Sequence, residues 1–142
     1  KVITKGIECA LYFSPVKSFT LNAAYTYLPK AEDRETGDRL IRRPRHQGSF
    51  HANWQFTSKG NLNLAFNYIG QRDDAWYNEA TWSTVDEKMD AYYTLNIAAS
   101  YWVLESVQVF GRIENILDED YEFPVGYNTP GRSYYAGLKA VL

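Results

Sequence analysis

The stretch that decides the fold runs from Ser18 to Tyr27 and reads SFTLNAAYTY. From Phe19 onward, apolar and aromatic side chains fill every second position, and small or polar side chains fill the others. Side chains of a β-strand alternate between its two faces, so this period predicts a strand with one apolar face. The same alternation predicts six more strands, within Gly6 to Phe13, Gln47 to Thr57, Asn61 to Tyr68, Asp90 to Val103, Val107 to Asn115 and Ser133 to Leu142.

The composition favours strands and excludes several classes of protein. Aromatic residues, which favour strands, make up 16% of the 142 residues. The 15 Lys and Arg residues against 17 Asp and Glu give a net charge of -2, which argues against nucleic-acid binding. The single cysteine, Cys9, excludes an intramolecular disulfide or a cysteine-based zinc site. No apolar run approaches the ~18 residues of a transmembrane helix.

The connections between the predicted strands alternate in length. Three are tight turns, at Ser14 to Lys17, Ser58 to Gly60 and Leu104 to Ser106. The other three are long and polar, at Leu28 to Arg45, Gly70 to Met89 and Ile116 to Arg132. Outer-membrane barrels have this asymmetry, with short periplasmic turns and long extracellular loops.

Three further patterns favour a membrane barrel over a soluble barrel or sandwich. The strands have about the 9–11 residues that a tilted membrane strand needs, and no charge lies on their apolar faces. Aromatic residues of the apolar faces gather at both strand ends, where they would form two interfacial girdles. Beside the short turns lie Phe13, Phe19, Trp54, Phe56 and Tyr101; beside the long loops lie Tyr25, Tyr27, Tyr68, Tyr93 and Tyr134.

The last third of the chain resembles a known family. The runs FGRIENILDEDY (residues 110–121) and GYNTPGRSYYAG (residues 126–137) resemble the carboxyl end of TonB-dependent outer-membrane receptors. Ile116-Leu117 stands where the family more often has Leu-Phe, and Leu142 stands where it usually ends in Phe. The run from Arg42 to His46 is similar to the start of a strand in the cobalamin-receptor branch, and similar runs occur in siderophore receptors.

The resemblance implies an all-β fold, an antiparallel up-and-down meander of about seven strands. Residues 1–142 would form the C-terminal part of a 22-stranded transmembrane β-barrel, with the plug domain absent. Because seven strands leave two unpaired edges, we expect the chain to be one segment of a longer protein. Tyr134, Leu138 and Leu142 would form the terminal signal for the barrel-assembly machinery.

The function that the resemblance implies is active import of a siderophore–iron complex or cobalamin across the bacterial outer membrane. Energy would come from the TonB complex, acting through the missing N-terminal part. Membrane lipid and lipopolysaccharide would be further partners, with no nucleic acid, no cofactor and no enzymatic activity. The alternatives are a passive outer-membrane barrel and a soluble β-barrel binding module.

No catalytic or metal-binding arrangement stands out, so ligand contacts are expected from the long loops. His46 and His51 fall on opposite strand faces. The acidic runs Asp73-Asp74 and Asp118-Glu119-Asp120 lack calcium-loop spacing and should be solvated. Exposed aromatic and arginine residues are favoured contact residues, although membrane anchoring and pairing with lipopolysaccharide phosphates explain them equally well. The predicted contact residues are Arg42, Arg43, Trp76, Tyr77, Trp82 and Tyr127.

Overall fold

A computed structural model describes residues 1–141 and contains nine β-strands. Seven of them form one antiparallel sheet in the order β1-β2-β3-β4-β7-β8-β9, and the other two form a separate hairpin. The strands are β1 (Val2–Val16), β2 (Phe19–Asp33), β3 (His46–Trp54), β4 (Gly60–Ile69), β5 (Arg72–Asn78), β6 (Ser83–Met89), β7 (Tyr92–Leu104), β8 (Val107–Glu114) and β9 (Ser133–Ala140). The predicted seven-stranded meander is confirmed.

The structure differs from the prediction mainly in the long connections. The predicted loop from Gly70 to Met89 contains the hairpin β5–β6, and β2 runs on to Asp33 through part of another predicted loop. β1 and β2 have 15 residues each, more than a membrane strand needs, whereas β8 and β9 have eight. A strand that continues beyond the membrane needs no apolar face, so the two-residue period that reveals a strand in the sequence is lost there.

The register of the sheet keeps all the apolar faces on one side. A slip of one residue in any pair of strands would move a whole apolar set to the opposite face. The requirement that the apolar side chains share one face therefore specifies the register of each pair. At the loop end, one cross-strand row joins Tyr25, Gly48, Tyr68 and Tyr93. Nearer the middle, another row joins Leu21, Ala52, Leu64, Ile97 and Ile113.

Aromatic rings pack together at the end of the sheet that carries the short turns. The ring of Phe56 lies 6.0 Å from that of Trp54 and 6.5 Å from that of Tyr101, measured between centroids. Phe56 also covers Gly60, where a Cβ atom would collide with its ring. Three of the aromatic residues predicted beside the turns therefore pack together. The absence of a side chain at Gly60 leaves room for the Phe56 ring.

The apolar face of the sheet is uncovered. Within residues 1–141, Ala31 is the only hydrophobic residue that is buried, while Leu11 is 57% exposed and Leu138 is 74% exposed. A soluble barrel or sandwich would cover such a face with a second layer of structure. The sheet is also open, with β1 and β9 as its edges. The uncovered face fits contact with lipid and does not fit a soluble binding module.

Candidate functional site

All three long connections lie at the same end of the sheet, because every second turn of a meander does. We call residues 34–45 the first loop, residues 70–91 the second loop and residues 115–132 the third loop. Their charges are complementary: the first loop has five arginines against two carboxylates, whereas the second has two cations against six carboxylates and the third has one arginine against four. Attraction between the basic loop and the two acidic loops favours their close packing.

The carboxylate of Asp74 joins all three loops. This side chain is fully buried, and its Oδ1 accepts hydrogen bonds from Arg42 Nε of the first loop at 2.7 Å and from its own neighbour Ala75 N at 2.8 Å. Its Oδ2 accepts a bond from Val125 N of the third loop at 3.0 Å. A further bond runs from Arg42 N to the carbonyl of Asp73 at 2.7 Å. The expectation of a solvated Asp73-Asp74 pair is therefore wrong for Asp74.

Arg72, two positions before Asp74 on the same face of β5, ties the second loop to the third. It is only 3% exposed, and its guanidinium donates to the carbonyl of Glu122 at 2.7 Å and more weakly to that of Asp90 at 3.4 Å. The same group lies 5.3 Å from the ring centre of Tyr92 and 5.2 Å from that of Phe123, which are cation–π distances. Arg72 and Asp74 together form what we call the loop junction.

The residues that carry the family resemblance shape the third loop. The amide of Asn115 donates to the carbonyl of Glu119 at 2.8 Å, and its Oδ1 accepts from Glu119 N at 3.0 Å. Asp118 Oδ1 accepts from Arg132 N at 2.8 Å, and Arg132 Nε donates to the carbonyl of Ile116 at 2.8 Å. Asn115 and Asp118 have positive φ angles of 50° and 57°, a conformation that Asn and Asp tolerate well. These residues have a structural role in the loop.

The predicted contact residues separate into two groups. The side chain of Arg42 is bound to Asp74 of the loop junction. Arg43 is exposed, and its carbonyl accepts a hydrogen bond from Arg39 at 3.1 Å. The aromatic residues are exposed: Trp76 Nε1 donates to Glu87 at 3.2 Å, and Trp82 is 80% exposed at the end of the β5–β6 hairpin. The exposed fractions of Tyr77 and Tyr127 are 55% and 69%. These aromatic side chains are accessible to a ligand.

Sequence reasoning missed the two residues on which the loop packing depends. Arg72 and Asp74 are charged residues in a polar stretch, which predicts exposure, and no local pattern indicates that they are buried. An i, i+2 spacing of opposite charges is compatible with a strand, but it does not identify the partners. Over residues 1–141, no three His, Cys, Asp or Glu side chains converge as a metal site would require.

The loop junction should weaken in acid. Burial by itself raises the pKa of Asp74, but hydrogen bonds from Val125, Ala75 and Arg42 outweigh it, and the pKa is lowered overall. A carboxylate whose pKa is lower in the folded state stabilises the fold above its ordinary pKa, and this stability is lost as the pH falls through the folded value. We expect the protection of the loop amides from hydrogen exchange, corrected for the intrinsic rate, to decrease as the pH drops below about 4. An Asp74→Asn variant should lack this dependence; a parent that shows none would contradict the assignment.

The open sheet, its lipid-compatible face and the loops gathered at one end define a segment of a transmembrane β-barrel wall. No helix among the described residues is long and apolar enough to cross a membrane. The family model for the TonB dependent receptor-like β-barrel matches residues 1–116. The chain belongs to this family, whose barrels lie in the bacterial outer membrane, and the resemblance seen in the sequence is confirmed.

Relatives and solved structures agree with this assignment. The vitamin B12 transporter BtuB of Vibrio cholerae is 33% identical over 109 residues, 77% of this chain and 17% of the relative. The ferripyoverdine receptor of Pseudomonas aeruginosa matches with a TM-score of 0.82 and 17% identity, over 96% of this chain and 19% of the receptor. The siderophore receptor PirA of Acinetobacter baumannii matches with a TM-score of 0.80 and 21% identity, over 98% of this chain and 22% of PirA. These proteins are named as transporters and receptors, not enzymes, and the two structures share the fold.

Proposed function

We propose that this chain is the C-terminal wall and loop segment of an outer-membrane active transporter that imports a siderophore–iron complex or a corrinoid. It spans 17% of the length of the curated relatives that it matches, so transport would be an activity of a longer protein. In that protein, residues 1–142 would form part of a 22-stranded barrel, a plug domain would close its lumen, and TonB would supply energy. The family match over residues 1–116 carries this proposal.

The arrangement of the loops supports a receptor function. A ligand site needs side chains held in place before the ligand arrives, since ordering them on binding costs affinity. The loop junction would provide this order by fixing three loops around Asp74, and the exposed aromatic residues would provide contact area. The polar face of the sheet would line the lumen, and the apolar face would contact lipid.

Uptake by cells tests the proposal directly. The full-length receptor that contains this segment is expressed in a strain without its own receptors, and uptake of a labelled siderophore–iron complex and of labelled vitamin B12 is measured. Uptake of one of the two that stops when TonB is deleted would support active transport. Uptake that continues without TonB would indicate a passive barrel, and no uptake of either would contradict the proposed import.

Trp82 has the largest exposed fraction of the four predicted aromatic contact residues. We propose that it contacts the ligand, and we expect Trp82→Ala in the full-length receptor to weaken binding of the imported ligand about 30-fold, the loss typical of an aromatic hot spot. Trp54→Ala removes the same side chain at the opposite end of the sheet and should leave affinity unchanged. Affinity is measured by titration of the purified receptors, and equal affinity of the Trp82→Ala and parent proteins would remove Trp82 from the site.

A further inference from the structure

A β-bulge interrupts β2 just beyond its aromatic residues at the loop end. Between the partner of Ile7 and the partner of Lys5, β2 has one residue more than β1. Gly6 of β1 lies opposite the extra residue, and a Cβ atom there would come within 2.7 Å of the carbonyl oxygen of Tyr27. An extra residue of this kind re-aims the side chains that follow it in the strand. The residue that comes opposite Lys5 is therefore Lys30.

Lys5 and Lys30 point to the lipid side of the sheet. Lys5 is two positions before Ile7 in β1, so the two side chains share the apolar face. Residues directly opposite each other in an antiparallel pair point to the same side, which places Lys30 there as well. Ala31, the next residue, points to the other side and is fully buried. Without the bulge, Ala31 would lie on the uncovered lipid side.

The lysine pair lies at the level of the membrane–water interface. The next cross-strand row toward the membrane contains Tyr27 and His46, whose ring centroids are 4.9 Å apart. Tyr25 Oη lies 2.7 Å from His46 Nδ1, so these rings form one cluster. Amphipathic rings of this kind prefer the level of the lipid headgroups. Lys5 is two residues, about 7 Å, farther toward the loops, which are extracellular in such barrels, so it faces headgroups of the outer leaflet.

Positive charge is in excess at the lysine pair. Like charges directly opposite each other destabilise an antiparallel pair of strands. Glu32 offsets one of the two charges, because its carboxylate lies 2.9 Å from Lys30 Nζ. Lys5 is exposed, and within residues 1–141 it has no carboxylate closer than 4.0 Å. An anion bound by both ammonium groups would remove their repulsion, so the pair favours an anionic group on the lipid side.

We infer that Lys5 and Lys30 bind the phosphate of a lipid headgroup in the outer leaflet. The same face continues toward the membrane centre with Ile7 and Leu11, which are 62% and 57% exposed and would contact the acyl chains of that lipid. An amphipathic lipid is complementary to both parts of this surface, whereas a free phosphate ion matches only the lysines. The inference goes beyond the proposed function, because the site lies on the outside of the wall and does not depend on what the receptor imports.

Cys9 provides a local reporter for the test. It is exposed and pairs with Tyr25 on the same apolar face, two residues past Ile7, where the acyl chains of a lipid held by the lysines would lie. A fluorophore is attached to Cys9 of the full-length receptor, in which any other cysteine is replaced by serine, and the receptor is placed in phosphatidylcholine vesicles. Short-range quenching by spin-labelled phosphatidic acid or spin-labelled phosphatidylcholine measures which lipid occupies this position.

The parent receptor should bind phosphatidic acid at the reporter about tenfold more strongly than phosphatidylcholine, whose choline group neutralises its phosphate. A Lys5→Gln/Lys30→Gln double variant should lose this preference, so that both lipids quench equally. Lys5→Arg/Lys30→Arg keeps the charges and should keep the preference. The control, Lys17→Gln/Lys59→Gln, removes the same charge at the short turns and should quench as the parent does.

Three results would overturn the inference. The first is a parent without a preference for phosphatidic acid, and the second is a preference that the glutamine variant of Lys5 and Lys30 retains. The third is loss of the preference when inorganic phosphate is added at constant ionic strength, which would assign the lysines to a free anion. Uptake that fails while the lipid preference is present would overturn the proposed import and leave the lipid site intact.

Discussion

Replacing Asp74 by alanine is expected to release the three loops from one another while the seven-stranded sheet stays folded. The change leaves Arg42 Nε and the N–H group of Val125 without their shared acceptor. Removing one partner of a buried charge pair costs about 3–5 kcal/mol, and the partial exposure of Arg42 places the expected loss at the lower end, about 3 kcal/mol. Amides of the first and third loops should then exchange their hydrogens about 100-fold faster in the full-length receptor.

Asp73→Ala is the matched control for this change. Asp73 is adjacent in sequence, and its side chain forms no hydrogen bond in the described part of the chain, although its backbone carbonyl accepts from Arg42 N. We expect exchange in the first and third loops to remain close to that of the parent. If Asp74→Ala and Asp73→Ala have equal effects, the buried carboxylate does not hold the loops together. Sheet amides provide an internal reference, because their exchange should be the same in all three proteins.

Placing an arginine on the apolar face at Leu64 is expected to prevent assembly of most of the receptor in the membrane. Leu64 lies near the middle of β4, in the cross-strand row between Ala52 and Ile97, so its side chain faces the centre of the bilayer. Arginine at the midplane of a barrel costs about 2–4 kcal/mol. The amount of folded receptor in the outer membrane and its midpoint of unfolding by urea in lipid vesicles should both fall.

The neighbouring residue supplies the control. Ala65 lies at the same depth in β4, but its side chain is on the polar face, where His51 and Asn96 are its cross-strand partners. Ala65→Arg introduces the same charge and should leave most of the receptor folded. If both arginine variants assemble equally well, the apolar face of this sheet does not contact lipid. If Ala65→Arg alone fails to assemble, the orientation of the sheet in the membrane is the reverse of the one inferred from the strand faces.

The strands were predictable because each one repeats its own pattern. In β2 and β7 large apolar or aromatic residues alternate with small or polar ones over nine positions, from Phe19 to Tyr27 and from Tyr93 to Tyr101, with only Ala23 and Ala99 as small members of the apolar set, and a long repeat is a strong signal. The hairpin β5–β6 was not predictable in this way. Its charged and aromatic residues follow no apolar alternation, because neither of its faces contacts lipid. Its sequence therefore has the composition of a loop.

The candidate site was only partly predictable. Composition identified the exposed aromatic residues, such as Trp82 and Tyr127, because large aromatic side chains in polar segments are conspicuous. It also predicted Arg42 as a ligand contact, which stays a prediction, but it did not indicate that Arg42 pairs with Asp74. A cleft between the first and second loops was not predicted, since its lining residues come from two loops that approach each other only after folding.

The sequence by itself determined the strands, their apolar faces and the fact that all the long loops lie at one end of the sheet. These properties are local, because a strand side chain has only two faces to choose from and each turn reverses the chain. Only the tertiary structure decided that Asp74 is buried and that Arg45 and Lys88 share a cleft. The Asp74 bonds to Arg42 and Val125 join residues 32 and 51 positions apart, a separation over which no periodic pattern specifies a contact.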